Sequence, residues 1–137
     1  MNDKKTTQAA FSFEGYKIYK SSIVLAKDCN DSQGDLGLSF SPRGLFKDGV
    51  FTLSLELEIK DKDENLSINV ELEAVYNFKN SRDLPETVCA NMIAILFPYI
   101  RAYISTLTNL SGAGVVNLPT LNLTRLGDVL KNKITQQ

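Results

Sequence analysis

The 137-residue chain contains no histidine and no tryptophan, and it has only two cysteines. The lack of histidine removes the usual general base, the usual partner of a catalytic serine or cysteine, and the commonest metal ligand. Cys29 and Cys89 alone cannot form a structural zinc site, and they do not make a disulfide framework. We therefore expect a protein with no cofactor and no metal site, in a reducing compartment such as the cytoplasm.

An excess of charge of one sign and long apolar runs are also missing. The chain has 15 lysines and arginines against 16 acidic residues, so it lacks the basic surface that is typical of nucleic-acid binding. No apolar run reaches the roughly 20 residues that a membrane span requires, and we expect no signal peptide because the polar residues 1–8 contain no apolar core. We expect a disordered tail over 1–10 and a single domain over 11–135, without membrane insertion.

Alternation of apolar and polar residues dominates the first half of the chain. It is clearest over residues 51–59 and 66–78, which indicates two strands with one buried face and one solvated face. Weaker alternation over residues 11–26 and 36–41 predicts two more strands. Gly15 interrupts the alternation in the first of them, which predicts a bulge or a twist there. The sequence Ser-Pro-Arg-Gly at 41–44 is expected to end the second strand.

The pairing of the two central strands can be predicted from their apolar faces. We compare two of the registers that bury both faces, and one of them places Glu56 directly opposite Glu71, which is unfavourable. The other register pairs Leu55 with Val70 and separates the two carboxylates. The sequence therefore favours the second register.

From Pro85 onwards the apolar period changes to that of a helix, and proline is a favourable first-turn residue. The apolar residues that follow cover an arc of about 200°, twice the roughly 100° of a helix that packs on one surface. Pro98 lies on the remaining polar stripe, where water can replace its missing hydrogen bond. A short amphipathic helix is expected around 124–134, with an apolar side formed by Leu126, Val129, Leu130 and Ile134. The order of elements predicts an α+β fold, with a four-stranded antiparallel sheet followed by a long kinked helix and a short C-terminal helix.

Candidates for catalysis are weak. The outward carboxylates of the central strands could form an acid/base pair or bind calcium, but a solvated sheet face is the simpler interpretation. Ser111–Gly114 could hold a phosphate, but it lacks a following lysine and ends a helix instead of beginning one. We therefore expect that the protein is not an enzyme.

Two motifs carry a family resemblance. The sequence Leu-Phe-Pro-Tyr-Ile-Arg at 96–101 and the sequence Leu-Pro-Thr-Leu-Asn-Leu at 118–123 resemble the SecB family of protein-export chaperones. The similarity extends over roughly residues 11–130. The resemblance implies a homotetramer, built as a dimer of dimers, that holds unfolded polypeptides or preproteins in apolar grooves without ATP. Some relatives serve toxin–antitoxin systems, so a dedicated chaperone of a single partner such as an antitoxin is an alternative. A small-ligand-binding α+β domain is a second alternative.

The family's contact with the SecA motor depends on acidic and apolar residues in its first and fourth strands. The matching positions here are Ser22, Ala26, Ser67 and Asn69, and none of them is acidic. SecA is therefore a weaker expectation than the other partners that the resemblance implies.

The polypeptide-binding groove is expected to use aromatic and apolar residues that are not fully buried in the core. Aromatic side chains offer a large contact area at a small loss of rotamer freedom. The residues that we predict for this groove are Phe11, Phe13, Tyr16, Phe40, Phe97, Tyr99, Leu118 and Leu121.

The wide apolar arc of the long helix also predicts assembly. One sheet cannot cover such an arc, and monomers avoid exposing a large apolar patch. We expect helices of different subunits to pack together between two sheets, with the first strand pairing with its two-fold mate.

Overall fold

The computed structural model describes residues 11–28, 36–62, 65–79, 84, 88–114, 116–118 and 121–137. The predicted disordered tail, Cys29 and the predicted helix start at Pro85 lie outside these ranges. The elements in chain order are β1 (Ser12–Leu25), β2 (Leu36–Lys47), β3 (Val50–Asp61), β4 (Leu66–Asn77), α1 (Val88–Leu110), α2 (Leu123–Lys131) and β5 (Ile134–Gln136). The predicted α+β class, with a sheet followed by a long helix and a short helix, is confirmed.

The sheet has the strand order β1-β4-β3-β2-β5 and is mixed, which corrects the prediction of four antiparallel strands. The four long strands are antiparallel to their neighbours, but β5 runs parallel to β2 at residues 44–46. The Gln137 N–H donates to the Phe46 carbonyl over 3.0 Å. The predicted C-terminal helix was too long, because Ile134 belongs to β5. Three residues are too few for their alternation to be recognised in a sequence.

The second strand continues beyond its predicted end, through Pro42 to Lys47. Proline cannot donate a ladder hydrogen bond, so it is tolerated on a strand edge that has no partner. Pro42 pairs with Leu55 of β3 on one side, and β5 reaches only residues 44–46 on the other. The edge position of β2 therefore explains why this proline does not end the strand.

The predicted register of the two central strands was wrong. Leu55 lies opposite Leu72, and Glu56 lies directly opposite Glu71. Cations from the flanking strands neutralise the two carboxylates: Lys20 of β1 is 3.3 Å from Glu71, and Arg43 of β2 is 3.8 Å from Glu56. These neighbours offset the like-charge repulsion, and a comparison of the two central strands alone omits them.

The turn between β3 and β4 also favours this register. The buried Asp61 carboxylate accepts a hydrogen bond from the Leu66 N–H over 3.1 Å. A buried donor without a partner would cost about 1–3 kcal/mol, so this contact favours one alignment of the strand ends.

The core lies between one face of the sheet and the inner side of α1. The fully buried residues of β3 and β4 alternate along each strand, as predicted, and they meet Met92, Leu96 and Ile100 of the helix. The Tyr76 hydroxyl donates to the Met92 carbonyl over 2.8 Å, which joins β4 to α1. By length and composition α1 could span a bilayer, but its inner side is buried here as in the core helix of a globular domain.

The proline in α1 lies where the sequence places it. Pro98 is exposed, and the helix is continuous on both sides of it. Solvent can therefore reach the carbonyl that lacks its helical donor. The predicted irregularity of the first strand is also confirmed, since the pairing of β1 with β4 shifts between Phe13 and Gly15, and Gly15 has a φ of 123°.

Candidate functional site: an aromatic cluster and an open apolar groove

One side of α1 remains exposed although it is apolar. Ile95, Tyr99 and Leu110 are 38%, 44% and 80% exposed, and Ala102 and Thr106 between them are exposed as well. These residues follow one another at intervals of three or four, so they share one side of the helix. We call this surface the exposed stripe. It contains no charged residue.

Four predicted groove residues come together at Tyr99 of this stripe. We call Phe11, Phe13, Tyr16 and Tyr99 the aromatic cluster. The ring centroids of Tyr16 and Tyr99 are 5.0 Å apart, and those of Phe13 and Tyr99 are 5.9 Å apart. Phe11 packs against Tyr76 of the core, with a centroid separation of 5.4 Å. Tyr16 is 40% exposed, so the cluster combines a buried base with an accessible outer surface.

The bulge in β1 explains why this cluster forms. Phe13 lies opposite Tyr76 and Tyr16 lies opposite Ala74, and both partners point into the core. Strict alternation would send Phe13 and Tyr16 to opposite faces, because they are three residues apart. The extra residue at Gly15 places both rings on the face that carries α1. A hydrogen bond of 2.5 Å between the Ser21 and Tyr103 hydroxyls also joins β1 to the helix.

A second apolar surface lies on the other side of the helix, between β2 and α2. It is an open depression of about 290 Å³, which we call the groove. Its lining residues come from the first half of β2, the chain before α2 and the outer side of α2. They are Leu38, Phe40, Leu121, Asn122, Arg125, Leu126 and Val129.

The predicted residues on this side are divided between the groove and the core. Phe40 and Leu121 line the groove. Phe97 is 8% exposed and packs against Phe40 with a centroid separation of 6.3 Å, so it supports the groove from beneath. Leu118 is 5% exposed and belongs to the core. Six of the eight predicted residues therefore lie on two separate surfaces, four in the aromatic cluster and two in the groove, while Phe97 and Leu118 are buried.

Two contacts determine which side of α2 faces the groove: the cap at its N-terminus and its close approach to α1. The Asn122 side chain caps the helix by accepting a hydrogen bond from the Arg125 N–H over 3.1 Å. Gly127 packs so closely on α1 that an added Cβ would lie 2.8 Å from the Ala90 nitrogen. Gly127 and Leu130 are thus buried against α1, which leaves Arg125, Leu126 and Val129 for the groove.

Five groove residues were not predicted: Leu38, Asn122, Arg125, Leu126 and Val129. The amphipathic pattern of α2 places Leu126, Val129 and Leu130 on its apolar side. In the structure only Leu130 of these three is buried, and Val129 is 39% exposed. An apolar stripe wider than its contact with α1 was the signal that could have identified a second contact surface.

The described residues contain neither a cluster of metal ligands nor an activated thiol. In these ranges no group of three histidine, cysteine or acidic residues could hold a metal ion. Burial raises the pKa of the Cys89 thiol, so it is poorly suited to act as a nucleophile. The carboxylates of the outer sheet face are solvated, and Lys60 lies 3.7 Å from Glu58 there in addition to the two pairs at Glu56 and Glu71.

The fold is similar to that of a solved SecB-like chaperone. This is Rv1957 of Mycobacterium tuberculosis, in complex with a ChAD peptide from the Rv1956 HigA1 antitoxin. The TM-score is 0.68 at 18% sequence identity, and the match covers 82% of this chain and 91% of the other. The SecB-like fold that the sequence motifs implied is therefore confirmed. No family model and no curated protein matches the sequence.

Proposed function

We propose that this protein is an ATP-independent chaperone that holds unfolded polypeptide segments on the groove and the aromatic cluster. The observation that carries the proposal is the accessible apolar surface on both sides of α1, in a SecB-like fold. Isolated exposed apolar residues are ordinary, but adjoining exposed aromatic and aliphatic residues mark an interaction surface. We further propose that the protein acts in the cytoplasm and is not an enzyme.

The shape of the groove favours a polypeptide over a small ligand. Sites for small molecules enclose most of the ligand and present a few polar groups that converge on it. The groove is open, and the Asn122 side chain is already engaged in capping α2. Side chains of a passing segment could enter from solvent while the rest of the segment stays outside.

The strand beside the groove offers a further means of binding. Within the described ranges, β5 covers the outer edge of β2 only at residues 44–46, and residues 36–43 have no partner on that side. A free strand edge presents unpaired N–H and carbonyl groups, which can pair with an extended segment. Leu38 and Phe40 belong to this edge, so backbone pairing would place alternate client side chains beside the groove.

A dedicated chaperone of one antitoxin is the second candidate. It is favoured by the solved neighbour, which holds a peptide from an antitoxin. The general chaperone and the dedicated chaperone differ in the range of clients that they bind. A dedicated chaperone binds one cognate segment far more tightly than other unfolded chains, whereas a general chaperone binds many segments with similar affinities.

We also propose the homotetramer, arranged as a dimer of dimers. The part of the exposed stripe that lies outside the aromatic cluster, from Ala102 to Leu110, offers an apolar contact for a second helix. The outer edge of β1 has no partner among the described strands and can pair with its two-fold mate. Burial of some 500 Å² per chain at about 25 cal/mol per Å² would provide roughly 12 kcal/mol before association costs.

The proposal does not extend to SecA. Ser22 of β1 pairs with Asn69 of β4 on the solvated sheet face, so the positions that match the family's acidic contact lie together without charge. Glu71 and Glu73 are the nearest carboxylates along β4, and Glu71 is already paired with Lys20.

The test is whether the protein suppresses the aggregation of a denatured client, which is measured by light scattering. We expect the wild-type protein to suppress scattering at a stoichiometric ratio. Tyr16→Ser and Phe40→Ser should weaken suppression, because each removes an aromatic contact from one of the two surfaces. Val24→Ser is the matched control, since Val24 is 65% exposed and opposes Ser67 on the solvated face. Absence of suppression by the wild-type protein would refute the proposed function.

A further inference from the structure

The charge of the groove is of one sign. Arg125 is the one charged residue among the described lining residues, and the others are apolar apart from Asn122. Arg125 is exposed, and its backbone N–H is the group that donates to the helix cap. Its guanidinium group is therefore presented to whatever occupies the groove.

Within the described ranges, the Arg125 guanidinium has no acidic partner of its own. The ion pairs found there join Lys20, Arg43 and Lys60 to glutamates of the sheet. Asp128 is three residues further along α2, but it does not line the groove and no ion pair joins it to Arg125. An arginine at an apolar surface without a carboxylate is complementary to a ligand that supplies one.

Two further features add positive charge near the groove. α2 begins at the groove wall, and its first turn contains no acidic residue to balance the partial positive charge of a helix N-terminus. Arg101 of α1 lies over the Phe97 ring, with its Cζ 5.1 Å from the ring centroid. Phe97 packs in turn against Phe40, so a second guanidinium lies one ring away from the groove lining.

We propose that the groove selects extended polypeptide segments in which an acidic residue is flanked by apolar or aromatic residues. Leu38, Phe40 and Val129 receive the apolar side chains, and Arg125 pairs with the carboxylate. Arg125 is thus the residue that favours acidic segments over basic ones. This inference rests on the proposed function and adds the class of client that the same site takes.

The experiment compares three short labelled peptides by fluorescence anisotropy. They share one sequence of alternating leucine, phenylalanine and serine residues and differ only at the centre, which is Asp, Asn or Lys. We expect the wild-type protein to bind the Asp peptide about fivefold more tightly than the Lys peptide, the magnitude of an exposed ion pair. The difference should shrink at high salt, because ions screen exposed charges.

Charge reversal at Arg125 tests the assigned residue. Arg125→Glu should invert the order of the Asp and Lys peptides. The variant is expected to fold, because an acidic residue three positions after an N-cap is favourable in a helix. Lys47→Glu is the matched control, since it makes the same change in net charge at an exposed position on β2 outside the groove lining. It should retain the wild-type order.

The outcomes separate this inference from the proposed function. Suppose that the protein binds the Asn peptide and binds the Asp and Lys peptides with equal affinities. That result would overturn the charge selection and leave the chaperone proposal standing. A wild-type order that persists in Arg125→Glu would overturn the role of Arg125. If none of the three peptides bound at any salt concentration, both the inference and the proposed function would be wrong.

Discussion

The contact between the two helices depends on Gly127, and its replacement by alanine is the sharpest test of the packing. A Cβ added at Gly127 would lie 2.8 Å from the Ala90 nitrogen and 3.0 Å from the Ala90 Cα. Because these are backbone atoms inside α1, no side-chain rotation can relieve the contact. One helix has to move away from the other.

Two opposing effects determine the change in stability. Alanine is favoured over glycine within a helix by about 1 kcal/mol. Overpacking of a buried contact costs about 1–3 kcal/mol, and a clash with backbone belongs in the upper part of that range. We therefore expect Gly127→Ala to lower the free energy of unfolding by about 1–2 kcal/mol, although the substitution improves helix propensity.

Urea denaturation at a single protein concentration measures this change, because assembly contributes to the apparent stability. Thr124→Ala is the control: it also raises helix propensity in α2, but Thr124 is exposed. Its free energy of unfolding should stay equal to that of the wild type or rise slightly. If Gly127→Ala were as stable as Thr124→Ala, the close approach of α2 to α1 would be refuted.

Two further predictions concern the core and the assembly. Burial raises the pKa of Tyr76 above its usual value of about 10, so this tyrosine remains neutral in the folded protein while the unfolded chain ionises. The free energy of unfolding should consequently fall as the pH rises above about 10. Tyr76→Phe should reduce that fall and should cost about 1 kcal/mol at neutral pH, because the hydrogen bond to Met92 is lost. A variant whose stability depends on pH as that of the wild type does would contradict this. Leu110, at 80% exposure, lies on the exposed stripe. Light scattering should show that Leu110→Ser lowers the assembled fraction without a change in circular dichroism, and a wild-type protein that is monomeric at micromolar concentration would refute the assembly.

Local patterns predicted most of the fold. The alternation over β3 and β4 and the helical period of α1 each depend on residues close together in sequence, and all three elements appear where they were predicted. The exposed position of Pro98 and the bulge at Gly15 could also be predicted from the sequence, because each follows from the geometry of a single residue type.

Contacts between distant segments account for the errors. In the observed register of β3 and β4, the contact between Glu56 and Glu71 is offset by Lys20 and Arg43, which lie in the two flanking strands. A charge comparison restricted to the central pair therefore predicted the wrong alignment. β5 was missed for a similar reason, since its three residues are strand-like only because the edge of β2 is available at residues 44–46.

The groove shows why part of the candidate site could not be predicted. The apolar residues of α2 cover more than the side that contacts α1, and the sequence alone does not say which of them point inward. Gly127 decides this, because the smallest residue marks the side of closest approach to Ala90. Leu130 then becomes buried, while Leu126 and Val129 turn towards Phe40.

The same contact links stability to client selection. If α2 moved away from α1 in Gly127→Ala, the groove wall formed by Arg125, Leu126 and Val129 would move relative to Leu38 and Phe40 on β2. The apolar contacts depend on this spacing, since dispersion forces fall steeply with distance. The charge preference depends on it less, because an ion pair across an exposed groove weakens only gradually as the separation grows. Gly127→Ala should therefore weaken the binding of all three peptides while preserving their order, whereas Arg125→Glu should invert the order. These two patterns would distinguish the groove's shape from its charge.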